Sequence, residues 1–283
     1  MVNEIVFKEE LAPRIKRIKV RNPMIARKSK SGQFVILRVE EDGERIPLTL
    51  IDWDPKDGTI TLVFKEVGAS TKKLGELEVG DTIHDLVGPL GNPGEIMYYG
   101  KVCIVGGGVA IASAYERARR LKDVGNSIVA IIGADTAKSI IYREEFRRLS
   151  DALYITTDDG SEGVKGYVSD ALTELLSSGE RFDLVYAVGP VSMMKAVSEA
   201  TKPYGIKTIV SLNSLMVDGT GMCGCCRVTV GGKTMFTCVD GPEFDAHLVD
   251  FKELEARLGM YSEEEKLVLN LAEGAGCRSW MLD

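Results

Sequence analysis

Histidine is nearly missing from this sequence. Only His84 and His247 occur in 283 residues, which argues against chemistry built on several imidazoles. A basic surplus is also missing. The formal net charge is −7, so a dedicated nucleic-acid surface is not expected. Long apolar runs are absent as well. Stretches such as "VCIVGGGVAIASA" fall short of the roughly 18 residues a membrane span needs, and glycine interrupts them. The opening "MVNEIVFKEELAPRIKRIKV" has no apolar core of a secretory signal. Internal repeats and low-complexity tracts are lacking too. Together these absences predict a soluble, cytoplasmic protein with no membrane or nucleic-acid partner. In that compartment, clustered cysteines bind metal or do redox work more often than they form disulfides.

What is present is ordinary for a globular chain: 45% hydrophobic and 27% charged residues, with length for about two domains. Residues 1–97 read as β-rich. Short β-branched or alternating runs ("EIVFKEELA", "QFVILRVE", "IPLTLID", "GTITLVFKEV") are separated by turn signals ("KSG", "EDG", "PKDG"). This spacing predicts a small antiparallel barrel or sandwich, with one helix near Ser70–Leu77. "GPLGNPG" marks a boundary. Over 98–212, apolar runs alternate with helical segments, which predicts right-handed βαβ units and a parallel sheet covered on both faces. Residues 213–283 hold a glycine and cysteine loop, a hairpin turning at Gly231-Gly232, then helix and coil.

The loop "MVDGTGMCGCCRVTVGGKTMFTC" carries four of the six cysteines. Its pattern is Asp218-x4-Cys223-x2-Cys226-x11-Cys238. With Cys in place of Asp, this is the plant-type spacing for a [2Fe–2S] cluster. A compact cluster needs ligands from a tightly curled backbone, and glycine supplies the dihedrals. Zinc is the main rival, although zinc sites more often pair two CxxC knuckles and only one is present. Asp218 reads either as the fourth ligand or as a turn residue capping local amides. Cys225, Cys103 and Cys277 read as non-ligands, Cys103 being a packing residue in an apolar strand.

Glycines Gly106, Gly107 and Gly108 in "CIVGGGVAIASAYERA" stand between a strand and a helix. There, backbone amides and the helix start can hold a pyrophosphate. Ile111 occupies the place of a third motif glycine, and close packing is the alternative use of such glycines. Asp135 ends the next strand and reads as a ribose 2′-OH acceptor or as a solvated loop residue, with Lys138 and Arg143 nearby. "AVGP" (Ala187–Pro190) and "TTDDGSEG" (Thr156–Gly163) lie at the same carboxyl edge, where ligands of open α/β sheets sit.

The whole order of barrel, nucleotide domain and cysteine loop resembles the ferredoxin–NADP reductase superfamily. Within it, the chain is similar to electron-transfer subunits of dihydroorotate dehydrogenase. It is also similar to small subunits of NADH-dependent reduced ferredoxin:NADP oxidoreductases (sulfide dehydrogenase subunits). The marks are "ERIPLTL", "VGASTKKL", "VGPLGNP", "VGGGVAIA", "TTDDGSEGVKGYVSD", "AVGPVSMMKAV" and the cysteine loop. The resemblance implies an FAD-binding barrel, a Rossmann-like NAD(P) domain and a [2Fe–2S] loop domain. Pro47, Leu48 and Thr49, with Arg45 one position from the usual Arg, would line the flavin. Gly68, Ala69, Ser70 and Thr71 would take the FAD pyrophosphate. Gly106–Gly108, Asp158, Asp159, Gly160, Gly189 and Pro190 would take NAD(H). Asp218 in the first ligand position favours the ferredoxin:NADP group, because the dihydroorotate subunits carry four cysteines. That group implies a larger flavin and iron–sulfur partner subunit, ferredoxin and NADP reached through it, and electron bifurcation. The dihydroorotate subunits imply a flavin barrel enzyme instead.

Overall fold

The computed structural model describes residues 2–274. Cys277 and the coil expected at the chain end lie outside the described residues. The first region contains β1 (Glu4–Ala12), β2 (Ile15–Arg21), α1 (Pro23–Lys28), β3 (Phe34–Arg38), β4 (Ile46–Asp54), β5 (Thr59–Lys65), α2 (Ala69–Glu76) and β6 (Asp85–Leu90). Its strands run β1-β2-β5-β4-β3-β6, each antiparallel to its neighbours. The sheet curls shut: Ile5 N–H donates to Asp81 O at 2.8 Å, and Ile83 N–H donates to Asn3 O at 3.0 Å. Closure removes the open edges that antiparallel sheets otherwise present. Ile46, Leu48 and Leu50 face the interior with Ile18, Val35 and Phe64. Alternation therefore turns Pro47 and Thr49 outward. Helix α1 was not expected. Its signals exist, since Asn22 accepts the Ile25 N–H and Pro23 begins the helix. Six residues are too few to show a periodic stripe.

The second region contains β7 (Lys101–Gly107), α3 (Ile111–Asp123), β8 (Ser127–Ala134), α4 (Arg143–Leu149), β9 (Ala152–Thr157), β10 (Val164–Lys165), α5 (Val168–Ser177), β11 (Leu184–Val188), α6 (Val191–Thr201) and β12 (Thr208–Ser211). After it come β13 (Arg227–Val230), β14 (Lys233–Phe236), β15 (Glu243–Asp245), α7 (Phe251–Leu258) and α8 (Ser262–Gly274). The large sheet has the order β10-β9-β8-β7-β11-β12-β15. All its pairs are parallel except β12–β15, where three residues from beyond the cysteine loop add an antiparallel edge. Such a short strand has too few residues to show alternation. Helices α3 and α4 cover one face and α5 and α6 the other. Strands buried on both sides need continuous apolar runs, as in Val102–Val105. Beyond β7 the chain crosses to β8, and β11 lies on the other side of β7. The sheet thus has its switch point between β7 and β11.

The hairpin β13–β14 turns on Gly231 and Gly232, both with positive φ, as a two-residue primed turn requires. The cysteine loop ahead of it packs on the outside of the barrel. Met216, Cys226 and Cys238 are buried there against Phe34 and Ile36 of β3.

Candidate functional site

A cleft of about 570 Å³ opens at the carboxyl ends of β7, β8, β9 and β11. The starts of α5 and α6 contribute Ser169 and Ser192 to its wall. Helix starts present unpaired amides and a positive end, so anions settle there. Gly107, Gly108, Asp135, Asp158 and Pro190, all read from sequence, line this cleft together.

The three glycines divide their labour. A Cβ on Gly106 would lie 2.8 Å from Ala114 Cβ, so its bareness lets α3 pack on β7. A Cβ on Gly107 would lie 2.5 Å from Met193 Sδ. Gly189 approaches from β11, where a Cβ would sit 3.3 Å from Gly107 Cα. Gly108 differs: its φ is +58° and no atom comes within 4 Å of a Cβ placed there. It turns the backbone with its open side bare. Close packing therefore accounts for Gly106 and Gly107, and Gly108 leaves room beside its amide for an anion.

The second wall is a pair of loops bonded to each other. Asp158 N–H donates to Ala134 O (3.1 Å), Asp159 N–H to Asp135 O (3.3 Å), and Ala137 N–H to Ser161 Oγ (2.8 Å). Asp135 accepts the Thr136 N–H at 2.9 Å. The Ser139 hydroxyl, then that amide, hold its carboxyl below the usual range. Asp159 does not line the cleft. Its Oδ1 caps its own turn, accepting from Ser161 N–H (2.9 Å) and Oγ–H (2.6 Å). Gly160, with φ +78°, shapes the same turn. Arg143 is tied to Glu162 in an ion pair and donates to Ala137 O at 3.0 Å. Lys65 of β5 also reaches the cleft, as does Tyr167. Sequence reasoning missed Lys65, because the barrel brings it to the nucleotide sheet through packing alone. The positions of Ser169 and Ser192, second in their helices, were a signal available and not used.

Across the barrel, Arg45 is exposed just before β4, while Pro47 and Thr49 stand on the outer face. Leu48 packs against the barrel interior instead. Gly68 caps α2; Thr71 Oγ1 accepts the N–H groups of Val67 and Gly68, both at 3.0 Å. The Ser70 hydroxyl donates to Glu44 at 2.7 Å, beside a notch of about 170 Å³ lined by Ala69, Ser70 and Val268 of α8. Gly68 leaves open space around a Cβ position, and the first amides of α2 suit a pyrophosphate, which would displace Glu44. The residues present fit the group. In β3–β4, Phe34 pairs with Thr49 and Ile36 with Pro47. Phe34 and Ile36 also cover Cys226 and Cys238, so the proposed flavin face and the cysteine loop share one strand.

In that loop Cys223 is exposed, Cys225 is half-buried, and Cys226 and Cys238 are buried; all four thiols are free. Cys225 N–H points at Cys223 Sγ (3.5 Å) and Cys238 N–H at Cys226 Sγ (3.4 Å). Gly219 and Gly221 have φ of +73° and +81°. Burial, then Cys226 alongside, push the Cys238 thiol up to about 12. Such thiols ionise readily only beside a cation, which suits metal. Asp218 is the turn cap of one reading: Oδ1 accepts Thr220 N–H (2.9 Å) and Oδ2 accepts Cys223 N–H (2.8 Å). These amides keep the carboxyl ionised, and its remaining lone pairs can still ligate. Among the described residues, no three His, Cys, Asp or Glu side chains gather around one point as a single ion would need. The donor set and the amides aimed at sulfur fit an iron–sulfur cluster. Cys103 is buried in β7, as expected of a packing residue. Among the described residues no helix is long and apolar enough to cross a membrane.

Comparison with known proteins agrees with both sites. Residues 104–199 match the oxidoreductase NAD-binding domain. Residues 213–250 match the iron–sulfur cluster binding domain of dihydroorotate dehydrogenase B. A Thermotoga maritima homologue of the dihydroorotate dehydrogenase B electron-transfer subunit is 48% identical, over 94% of both chains. The electron-transfer subunit from Geobacillus thermodenitrificans is 33% identical, over 86% of this chain and 95% of its own. A chain of the NADH-dependent reduced ferredoxin–NADP oxidoreductase structure, solved for insight into flavin-based electron bifurcation, is 47% identical. It superposes with a TM-score of 0.90, over 95% of this chain and 96% of that one.

Proposed function

This chain belongs to the family of dihydroorotate dehydrogenase B electron-transfer subunits and their homologues, and we propose that it passes electrons between NAD(H) and a larger flavin and iron–sulfur partner subunit. It is an oxidoreductase subunit with an NAD-binding and an iron–sulfur-binding region. A bound FAD would supply the conversion between a two-electron hydride from NADH and single electrons for a [2Fe–2S] cluster, which a nicotinamide does not do readily. The chain's own residues bind and orient. Gly107 and Gly108, with the starts of α5 and α6, hold the dinucleotide pyrophosphate while Gly106 lets α3 pack behind them, Gly189 and Pro190 flank the nicotinamide end, and Asp158 and Asp135 face the ribose. Pro47 and Thr49 support the flavin, with Gly68–Thr71 at its pyrophosphate. Asp218, Cys223, Cys226 and Cys238 ligate the cluster. The β3 strand shared by the flavin face and the cysteine loop supports a direct passage from one to the other.

The finer reading is NADH-dependent ferredoxin:NADP oxidoreduction by electron bifurcation, in the cytoplasm. One observation carries it: Asp218 stands at the first ligand position, where the dihydroorotate subunits carry a cysteine. Identity does not separate the branches, being 47% to the ferredoxin–NADP oxidoreductase chain and 48% to the Thermotoga homologue of the dihydroorotate subunit. The test is to purify the native complex through this chain and assay it. Ferredoxin-dependent exchange between NADH and NADP is expected. Dihydroorotate oxidation with a flavin barrel partner would move the chain to the other branch.

A further inference from the structure

Arg117 on α3 is 2% exposed, and its neighbours Glu116 and Tyr186 are 3% exposed each. Its guanidinium pairs with Glu243 of β15, donates to Ser31 Oγ at 3.4 Å, and lies over the Tyr186 ring at 4.9 Å. The Ser31 hydroxyl donates in turn to Glu116 at 2.8 Å, and Tyr186 OH to Glu243 at 3.4 Å. A Cβ on Gly94 would collide with the guanidinium, and one on Gly32 would lie 2.8 Å from Glu243 Oε1. The connected groups come from three places. Ser31 and Gly32 belong to the barrel, Glu116, Arg117 and Tyr186 to the nucleotide sheet and its helix, and Glu243 to the segment returning from Cys238. That segment is also held by Asn92, whose amide N–H donates to Gly241 O (2.7 Å) and whose side chain donates to Val239 O (3.0 Å). At the far end of α3, Arg119 meets Asp52 at 2.7 Å and Arg120 lies over Trp53 at 4.6 Å.

Apolar residues of similar volume would give comparable stability at such a junction. They would not fix direction. A planar guanidinium with a rigid fork of donors fixes angle as well as distance for each partner. We propose that Arg117 is a positioning residue for electron transfer: through Glu243 and Ser31 it holds the cysteine-loop return segment, the nucleotide sheet and the barrel in one geometry, and so sets the rate from flavin to cluster. This rests on the function proposed above. The hydride step depends on the cleft and on the outer face of β4, neither of which Glu243 touches.

The test uses the full chain with its FAD and cluster, mixed rapidly and anaerobically with NADH. Glu243→Gln and Arg117→Lys are compared with Asp52→Asn, whose partly exposed pair should contribute little. Flavin bleaching should change less than about twofold in all three. Cluster reduction should slow roughly tenfold or more in the first two, since ångström-scale misplacement at a distance can cost that much. Their reduced-cluster EPR line shape should match the wild type, and amide exchange over residues 239–245 should quicken. Flavin and cluster steps slowing in parallel, or neither changing, in folded Glu243→Gln overturns the proposal. Should Arg117→Lys fail to fold, the near-isosteric Glu243→Gln still decides. A wild-type chain that NADH does not bleach overturns the functional reading itself.

Discussion

The nucleotide cleft and the cysteine loop are built on opposite plans. The cleft is made of backbone: strand ends, helix starts and bare glycines on a sheet buried on both faces. Its shape follows from the packing of strands and helices. The loop is made of side chains on a curled segment, with one thiol exposed and two buried against the barrel. Its donors do not gather around a single point among the described residues. Sites of backbone are finished by folding, whereas sites of thiols are finished by the group they bind.

Removing a donor should therefore damage the loop more than any single change damages the cleft. In Cys226→Ser, iron and sulfide content should fall to background and thermal stability should drop, while Cys225→Ser should keep the cluster. Equal loss in both would break the comparison. Next in size is Arg117→Met. Burial pushes the Glu116 and Glu243 carboxyls up, and Arg117 opposes this for both. Without Arg117 their folded pKa values rise further, so the native state binds more protons than the unfolded chain. Stability is then lost as pH rises from the ordinary carboxylate range through the raised values. Denaturant melts should show a cost of about 3–5 kcal/mol at alkaline pH, shrinking as pH falls through the raised values.

Gly106→Ala is the sharpest test of the backbone plan. Its Cβ meets Ala114 Cβ and, at 3.3 Å, Ile111 Cα, neither of which can swing away. It should cost about 1–3 kcal/mol and weaken ADP-ribose binding by calorimetry. Gly107→Ala meets the flexible end of Met193 and, at 3.2 Å, Pro190 Cδ, and should cost less. The smallest effects belong to the carboxylates. Asp158→Asn and Asp135→Asn should each weaken ADP-ribose severalfold, on the order of one hydrogen bond. Unchanged affinity in both would remove them from the ribose.

Much of this plan was legible in the sequence because it rests on local periodicity. The βαβ alternation, the Gly231-Gly232 hairpin and the helix at Ala69–Glu76 all carry their signals within a few residues. The junction around Arg117 carries none. Ser31, Arg117, Tyr186 and Glu243 are scattered along the chain and meet only through topology. Lys65 is the same case in the cleft. Asp159 looked equivalent to Asp158 in the string, yet one turn sends its carboxylate back to Ser161. Leu48 sits between two outward residues, and alternation alone takes it inside.

The most direct test of the central claim is an anaerobic NADH titration of the purified chain, followed by visible and EPR spectra. Flavin bleaching accompanied by a rhombic [2Fe–2S] signal is the expected result. A colourless protein holding zinc, or a flavin that bleaches while the cluster stays oxidised, would contradict it.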